Sequence, residues 1–391
     1  MVAKSYFPSQ VVSDIEKMSY DYGLKVAKAI EAEWFYTDRG SNRYRNNQND
    51  FHKLRLYARG EQSIQKYKDE LSINGDLSYL NLDWKPVPII PKFVDIVVNG
   101  IAERTYDIKA YSQDPYGAGK RLDYMQSMLD DIESQDINDF VQENAGINLY
   151  ENNLETLPES KEELDLHMQL NYKQAVEIAE EQAINTLLEG SRYELTKKRF
   201  YYDLTVLGIG AVKTSFNTSE GAIVEYVDPA DLVYSHTNSP YFDDIYYVGE
   251  VKSIPINELV KQFPHLTQEE LEDIVKNKNY NKSNYNQGSS YKEEDNNTIQ
   301  VLYFNYKTYM NEVYKVKETG SGADKIIPKD DSFNPPEDME GGFAKLQRSI
   351  ECLYDGAMIL GTSKMLRWEM AKNMMRPKSD FTKVKMNYAI T

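Results

Sequence analysis

Cysteine occurs once in the 391 residues, at Cys352, and histidine four times. A lone thiol cannot form a disulfide within the chain, which excludes a disulfide-stapled scaffold and fits a reducing compartment. His52, His167, His236 and His265 are scattered, with no H-x-x-x-H pair and no cysteine partner, so no metal site is expected. The segment MVAKSYFPSQVVSDIEKM has no unbroken apolar stretch and does not read as a signal peptide. No run approaches the roughly 18 apolar residues needed to span a bilayer. A soluble chain made inside the cell, with no membrane partner, is the expectation. Basic residues are the minority, 45 against 62 acidic, for a net charge of −17. That excludes capture of nucleic acid by overall attraction, although nucleic acid can still pass beside such a protein without sticking.

Tyrosine, by contrast, is abundant: 31 residues against 13 phenylalanines. It brings large area with a polar tip, suited to wet interfaces and equally to half-buried packing. Helical patterns and strands alternate without a fixed period, which indicates neither a solenoid nor a βαβ array. Residues 50–71 read as two helices broken at Gly60. Pro91 suits the first turn of a helix whose stripe is Phe93, Val94, Val97, Val98 and Ile101, followed by a strand at 106–111. Leu122, Met125, Leu129 and Ile132 keep helical spacing. Residues 143–165 are acidic and read as a loop or insertion. A helix over 166–189 ends at Gly190, and Ser191-Arg-Tyr-Glu194 reads as a capping box opening the next, which stops at Gly208.

Residues 211–217 and 221–227 alternate around a polar turn and predict a hairpin. Thr267-Gln-Glu-Glu270 caps a helix to about 276, and 277–297 read as a linker. Strands are expected at 298–306 and 312–317, with a Gly/Pro/Asp-rich loop over 319–343. A second hairpin is expected to turn at Asp355-Gly356, a pair favoured by type I′ turns. From Thr362 the pattern reads as helical.

Two glycine-rich stretches invite a nucleotide reading and fail it. In Gly208-Ile-Gly210-Ala-Val-Lys213-Thr214, Val212 stands where a phosphate loop needs glycine, and the loop enters a strand rather than a helix. In Gly117-Ala-Gly119-Lys120, Asp114 occupies the first glycine position and Arg121 replaces Ser/Thr. The acids Asp130, Asp131, Glu133, Asp136 and Asp139 lack the glycine and bidentate glutamate of a Ca²⁺ loop. No G-x-S-x-G elbow is present. Asp243 and Asp244 offer paired carboxylates for an acid-dependent hydrolase, with no second carboxyl motif to single them out. No catalytic residue, cofactor or metal is otherwise expected. One local anomaly stands out: Lys364, Arg367, Lys372, Arg376, Lys378, Lys383 and Lys385 face only Glu369 and Asp380, a net +5 within an acidic chain. Helical spacing would gather several of them on one side as a phosphate-facing stripe; an exposed basic helix pairing with acidic neighbours is the alternative.

The order of these elements resembles the portal proteins of tailed bacteriophages, most of all those of crAss-like phages. The resemblance is carried by KLRLYARGEQ (53–62), PVPIIPKFVDIVVNGIAERTYDIKAYS (86–112), YYDLTVLGIGAVKTSF with IVEYVDPADLVYS, FDDIYYVGEVKSIPINELVKQFP (242–264), and the β block opening IQVLYFNY. Within them, Tyr57 and Gly60, Lys92 to Val98, Gly208 and Gly210, and Val227 to Asp231 match portal patterns. The resemblance implies an α+β subunit with a mixed wing, a helical stem and a small α/β clip, assembling as a ring of usually about twelve copies. Wing would span 1–241, the first stem region and linker 242–297, clip 298–361, and the start of a second stem helix 362–391. A portal chain normally continues beyond that helix, so this sequence is expected to be part of a longer one.

Such a ring is a non-enzymatic head-tail connector at one capsid vertex of the virion, made in the host cytoplasm. It passes double-stranded DNA during packaging and ejection. Its implied partners are the major capsid protein, the terminase large subunit and a tail adaptor. Lys364, Arg367, Lys372, Arg376 and Lys378 become candidates for the DNA channel. Tyr303, Tyr306, Tyr309 and Tyr314 become candidates for the clip interface, although alternation places Tyr303 with Ile299 and Val301 on a face that could equally be core. The hydrolase and a non-ring capsid adaptor are the rival readings.

Overall fold

The computed structural model describes residues 6–35, 43–61, 63–72, 76, 79, 81, 83–85, 87–104, 107–112, 115–147, 158, 161–170, 172–217, 221–285, 298–318, 324–330, 333–334, 343–377 and 379–391. The chain folds as two units, one of residues 1–103 with 193–391 and one of 104–192. The sequence-based division at 241, 297 and 361 is not the observed one, because strands on both sides of each boundary share one sheet.

In the first unit, α1 (Asp14–Lys17) and α2 (Tyr20–Phe35) precede α3 (Arg43–Arg59), α4 (Gln65–Leu71) and α5 (Ile90–Ala102). Gly60 has φ +75 and separates α3 from α4 as expected; a Cβ there would sit 2.9 Å from Pro88. In the second unit lie α6 (Pro115–Glu133), α7 (Gln135–Ala145), α8 (Lys161–Leu170) and α9 (Ala175–Gly190). Residues 107–112 form no strand, α7 and α8 enter the segment read as a loop, and the helix expected over 166–189 is two helices. The second unit is organised around two polar contacts. Buried Glu177 accepts from Arg121 at 2.9 Å and from the Ser112 amide at 2.8 Å, while the Tyr124 ring lies 4.5 Å from that of Tyr172.

The first unit resumes with α10 (Tyr193–Leu207), ended by Gly208 at φ +74. At the entry to α10, Arg192 takes φ 51, and Ser191 Oγ donates back to the Leu187 carbonyl at 2.8 Å. The hairpin β1 (Ala211–Asn217) and β2 (Gly221–Val227) pairs in the expected register, Ala211 opposite Val227. After a single 3-10 turn come β3 (Leu232–Tyr234), β4 (Tyr247–Pro255), α11 (Ile256–Gln262) and α12 (Gln268–Tyr285). Thr267 and Glu270 do form the reciprocal cap of α12, at 3.4 and 3.1 Å. The remainder of the expected linker lies outside the described residues.

The last strands are β5 (Thr298–Glu318), β6 (Asp324–Lys329), β7 (Phe343–Ile359), β8 (Met365–Met370) and β9 (Tyr388–Ile390). They complete a six-stranded sheet of order β3-β4-β5-β7-β8, with β6 added beside β5, and a three-stranded sheet of order β2-β1-β9. Helix α2 packs on one face of the larger sheet through Tyr22, Val26 and Ile30 against Phe304, Tyr306, Tyr354 and Met358. Helices α11 and α12 cover part of the other face through Leu259, Phe263 and Ile274 against Val301, Tyr303 and Ile359.

Three expectations are corrected here. The strands expected at 298–306 and 312–317 are one continuous strand. Asp355-Gly356 is no turn, because β7 runs straight through it with Asp355 opposite Asn305 and Gly356 opposite Phe304. Residues 362–391 form no second stem helix. In MLRWEM, Trp368 and Met370 join the core beneath α2 while Arg367 and Glu369 point away, a period of two that closes a sheet edge.

Candidate functional site

The sequence-predicted site residues do not come together. Lys364 pairs with Glu270 at the start of α12, holding that carboxyl below its usual range. Arg367 is exposed on β8, opposite Ala357. Lys372 is exposed in the turns after β8, and Arg376 is a loop staple there. The Arg376 guanidinium donates to the carbonyls of Phe381 at 2.8 Å, Glu351 at 3.1 Å and Lys383 at 3.4 Å. Lys378 lies outside the described residues. The basic segment is therefore not one helical stripe.

Of the tyrosines, Tyr303 and Tyr306 are core residues, 7% and 0% exposed, which corrects their reading as contact residues. Tyr303 donates to Gln262 at 2.6 Å. Tyr309 is half-buried beneath the buried Lys17, whose Nζ lies 3.8 Å from the ring centre and donates to the Tyr309 carbonyl at 2.6 Å. Tyr314 is half-buried on β5. Of the histidines, His167 meets Tyr124 at 3.1 Å, His236 meets Asn238 at 3.1 Å, and His265 packs edge-on against Phe263. Among the described residues, no three His, Cys, Asp or Glu side chains converge on a metal position.

Two buried polar clusters escaped the sequence reading. Arg55 of α3 bridges Asp203 of α10 at 3.0 Å and Asp228 at 2.8 Å, and Tyr226 of β2 donates to Asp203. Burial pushes Asp203 upward against the pull of Tyr226 and Arg55. The second lies between the two sheets. Lys213 of β1 reaches Glu250 of β4 at 3.7 Å, with the rings of Tyr303 and Tyr388 each 5.0 Å from its Nζ. Beside it, Asn387 donates from its amide to Asn305 Oδ1 at 3.2 Å, and Asn305 in turn donates to Asp355. Desolvation lowers the proton affinity of Lys213 and raises that of Asp355. A lysine so shifted has the protonation chemistry of a nucleophile, but here two tyrosine rings and a carboxylate surround it. It joins two sheets.

Asp244 accepts from the Thr237 hydroxyl and from the Asn238 amide at 2.8 Å, which holds its carboxyl below the usual range, the wrong direction for a general acid at neutral pH.

What the first unit does present is two apolar surfaces. On α5, Ile90, Phe93, Ile96 and Val97 follow helical spacing and are 37%, 62%, 59% and 45% exposed, continued by Ile89. Arg59, Pro88, Pro91, Lys92, Asp95, Ile96 and Asn99 line a cleft of about 650 Å³ beside them. The second surface is a blade where β6, β5 and β7 pair beyond the helix-covered core. Tyr314 lies between Pro328 and Leu346, and Val316 between Ile326 and Ala344, all on one face because cross-strand partners project together. Ile326 and Leu346 are more than half exposed. Tyr314 donates to Glu312 at 3.0 Å, and Arg348 clamps the same carboxylate. Pro328 is tolerated because β6 is an edge strand. The sequence signal for this surface was the alternation V-Y-K-V-K at the end of β5.

No protein-family model matches the chain, and no curated protein does. None of the helices, among the described residues, is long and apolar enough to cross a membrane.

Proposed function

We propose that the chain is a subunit of a phage portal ring, the head-tail connector through which DNA enters and leaves the capsid. The observation that carries this reading is the pair of separate exposed apolar surfaces, on α5 and on the blade, within one folding unit. A ring subunit that also docks outside partners needs separate surfaces, one turned toward neighbouring copies and one left free to face outward. Large exposed apolar patches mark interaction sites. The polar clusters that might have served chemistry are instead occupied in joining α3 to α10 and one sheet to the other. The order of sequence motifs supplies the portal assignment itself.

In this reading about twelve copies surround a DNA channel at one vertex of the virion. The α5 surface is turned toward a neighbouring copy. The blade faces outward to the terminase large subunit and later the tail adaptor, while the rest of the ring edge meets the major capsid protein. Negative-stain images together with light scattering of the purified protein test it. Closed rings are expected; a particle that stays monomeric at high concentration across several salts overturns it.

A further inference from the structure

The arm over residues 6–19 carries charged groups on its inner side and aliphatic ones on its outer side. Lys17 is fully buried; its Nζ donates to the Tyr309 carbonyl at 2.6 Å, and its own carbonyl accepts from the Trp368 indole at 3.0 Å. Asp14 accepts from the Asn311 amide at 3.1 Å. Phe7 stacks on Tyr247, with ring centres 4.9 Å apart. These contacts fasten the arm to the larger sheet. Val11, Ile15 and Met18 face solvent, and each is more than half exposed. A buried lysine beside exposed aliphatic residues reverses the usual pattern, and such a reversal marks an interaction surface more surely than single exposed apolar residues do.

Ring contacts are heterologous, so α5 of one copy meets a different surface of the next copy, not a second α5. In the ring reading the blade faces outward, which leaves the counterpart of α5 to another part of the chain. We propose that the arm of one copy seats on α5 of its neighbour, with Ile15 and Met18 entering the cleft walled by Pro88, Pro91 and Ile96. This pairing rests on the portal reading for the closed ring, and it names which two surfaces meet. Three observations select a second copy as the occupant. The charges are complementary: the cleft sets Arg59 and Lys92 against Asp95, whereas residues 11–21 set Asp14, Glu16 and Asp21 against Lys17. Arg59, Lys92, Glu16 and Asp21 are exposed, so these charges can meet. The spacing matches, since Ile15 and Met18 stand three residues apart, as do Phe93 and Ile96, and helical ridges of equal interval interleave. Both surfaces are also fixed in advance. The arm is fastened to the sheet, and Pro88 lies so close to Gly60 that a Cβ on the glycine would sit 2.9 Å from it. Preformed surfaces dock without the ordering cost that a loose segment would meet.

Cross-linking tests the contact in the purified full chain. The one native thiol, Cys352, is buried and pushed up to about 12, so only introduced cysteines react readily. Ile15→Cys with Ile96→Cys, treated with a short bis-maleimide, should give a ladder of covalent multimers on denaturing gels. Either substitution alone should give none, and a mixture of the two single variants should stop at dimers. Absence of the ladder overturns the proposal, as does a link confined within one chain or dimers from Ile15→Cys alone. Independently, Ile15→Asp with Met18→Asp should raise the concentration at which copies assemble by roughly thirtyfold. Both positions are exposed, so the unfolding midpoint should stay within a few degrees of the parent. Assembly of that variant at the parent concentration overturns the proposal. Images of the same preparations separate the two ideas. Rings without a ladder reject the arm contact and spare the ring; a ladder from open filaments keeps the contact and rejects closure. Monomers without a ladder reject both.

Discussion

Gly356 of β7 lies directly beneath the ring of Phe304, its partner across the ladder, so closely that a Cβ at position 356 would overlap the ring. Phe304 is itself 2% exposed and packs 6.0 Å from Trp368. The glycine is therefore required by an aromatic neighbour, not by a turn. Gly356→Ala should destabilise the protein by about 1–3 kcal/mol, the cost of overpacking a closed core. Pairing it with Phe304→Leu should recover much of that loss in denaturant unfolding. Additive losses in the double variant would show that the close approach is not what the glycine serves.

Lys213 and Glu250 should behave as one unit. Removing either partner alone leaves a mostly buried charge without its counterion, at about 3–5 kcal/mol. Replacing both, Lys213→Met with Glu250→Leu, should be neutral or stabilising, since desolvation opposes the pair as much as Coulomb attraction favours it. Urea unfolding of the two single variants and the double closes the cycle. If Lys213→Met alone is harmless, the pair does not join the sheets.

The buried tyrosines set an alkaline limit. Burial raises Tyr44 to about 12 and pushes Tyr226, Tyr247, Tyr303, Tyr306, Tyr354 and Tyr388 upward as well. Above the unfolded value of about 10, the unfolded chain has released protons that the folded chain still holds. Stability from these groups is complete below that pH and is lost as pH rises toward the folded-state values. Lys213 acts in the opposite sense below its ordinary value, but it is one group against seven. Tyrosinate absorbance should therefore appear cooperatively, together with loss of circular dichroism. Gradual titration near pH 10 with the fold intact would contradict this.

Much of the first unit was legible in the sequence. The break at Gly60, the stop at Gly208, the β1–β2 hairpin and the Thr267 cap all follow from local chemistry, and each formed as expected. The failures share a cause. Asp355-Gly356 carries a turn signal, yet the glycine answers to Phe304, fifty-two positions away in sequence, which no local window contains. Trp368 and Met370 read as helical because basic residues surround them, while the period-two alternation that decides the strand spans only six residues. Tyr303 and Tyr306 looked like contact residues from composition. Which face of β5 is covered depended on α2 and α11, and helix placement is not written in strand alternation. The inter-sheet cluster was invisible for the same reason: Lys213, Glu250, Tyr303 and Tyr388 come from four strands.

Arg376 and Lys372 separate a structural role from a surface charge. Arg376 donates to three carbonyls that fasten the segment after β8. Arg376→Ala should cost about 1–3 kcal/mol, because it leaves the part-buried Glu351 carbonyl without its donor. Lys372→Gln, at an exposed position, should stay within about 0.5 kcal/mol of the parent. Equal small effects from both, measured by thermal unfolding, would return Arg376 to the set of free surface charges.

The apolar face of the blade gives the sharpest test of docking. Ile326 and Leu346 are 59% and 55% exposed and lie beside Tyr314 and Val316. Exposed side chains contribute little to the fold, so Ile326→Asp with Leu346→Asp should leave the unfolding midpoint within a few degrees. An apolar surface in contact with a partner concentrates its energy in such residues, and losing one anchor there removes about 2 kcal/mol, or roughly thirtyfold in affinity. The double variant should therefore keep its fold and its rings while losing adaptor binding in pull-down and sedimentation. Loss of the rings instead would assign the blade to the contact between neighbouring copies. Retention of both rings and adaptor binding would remove the blade from the interface altogether, leaving α5 as the apolar surface that docking must use.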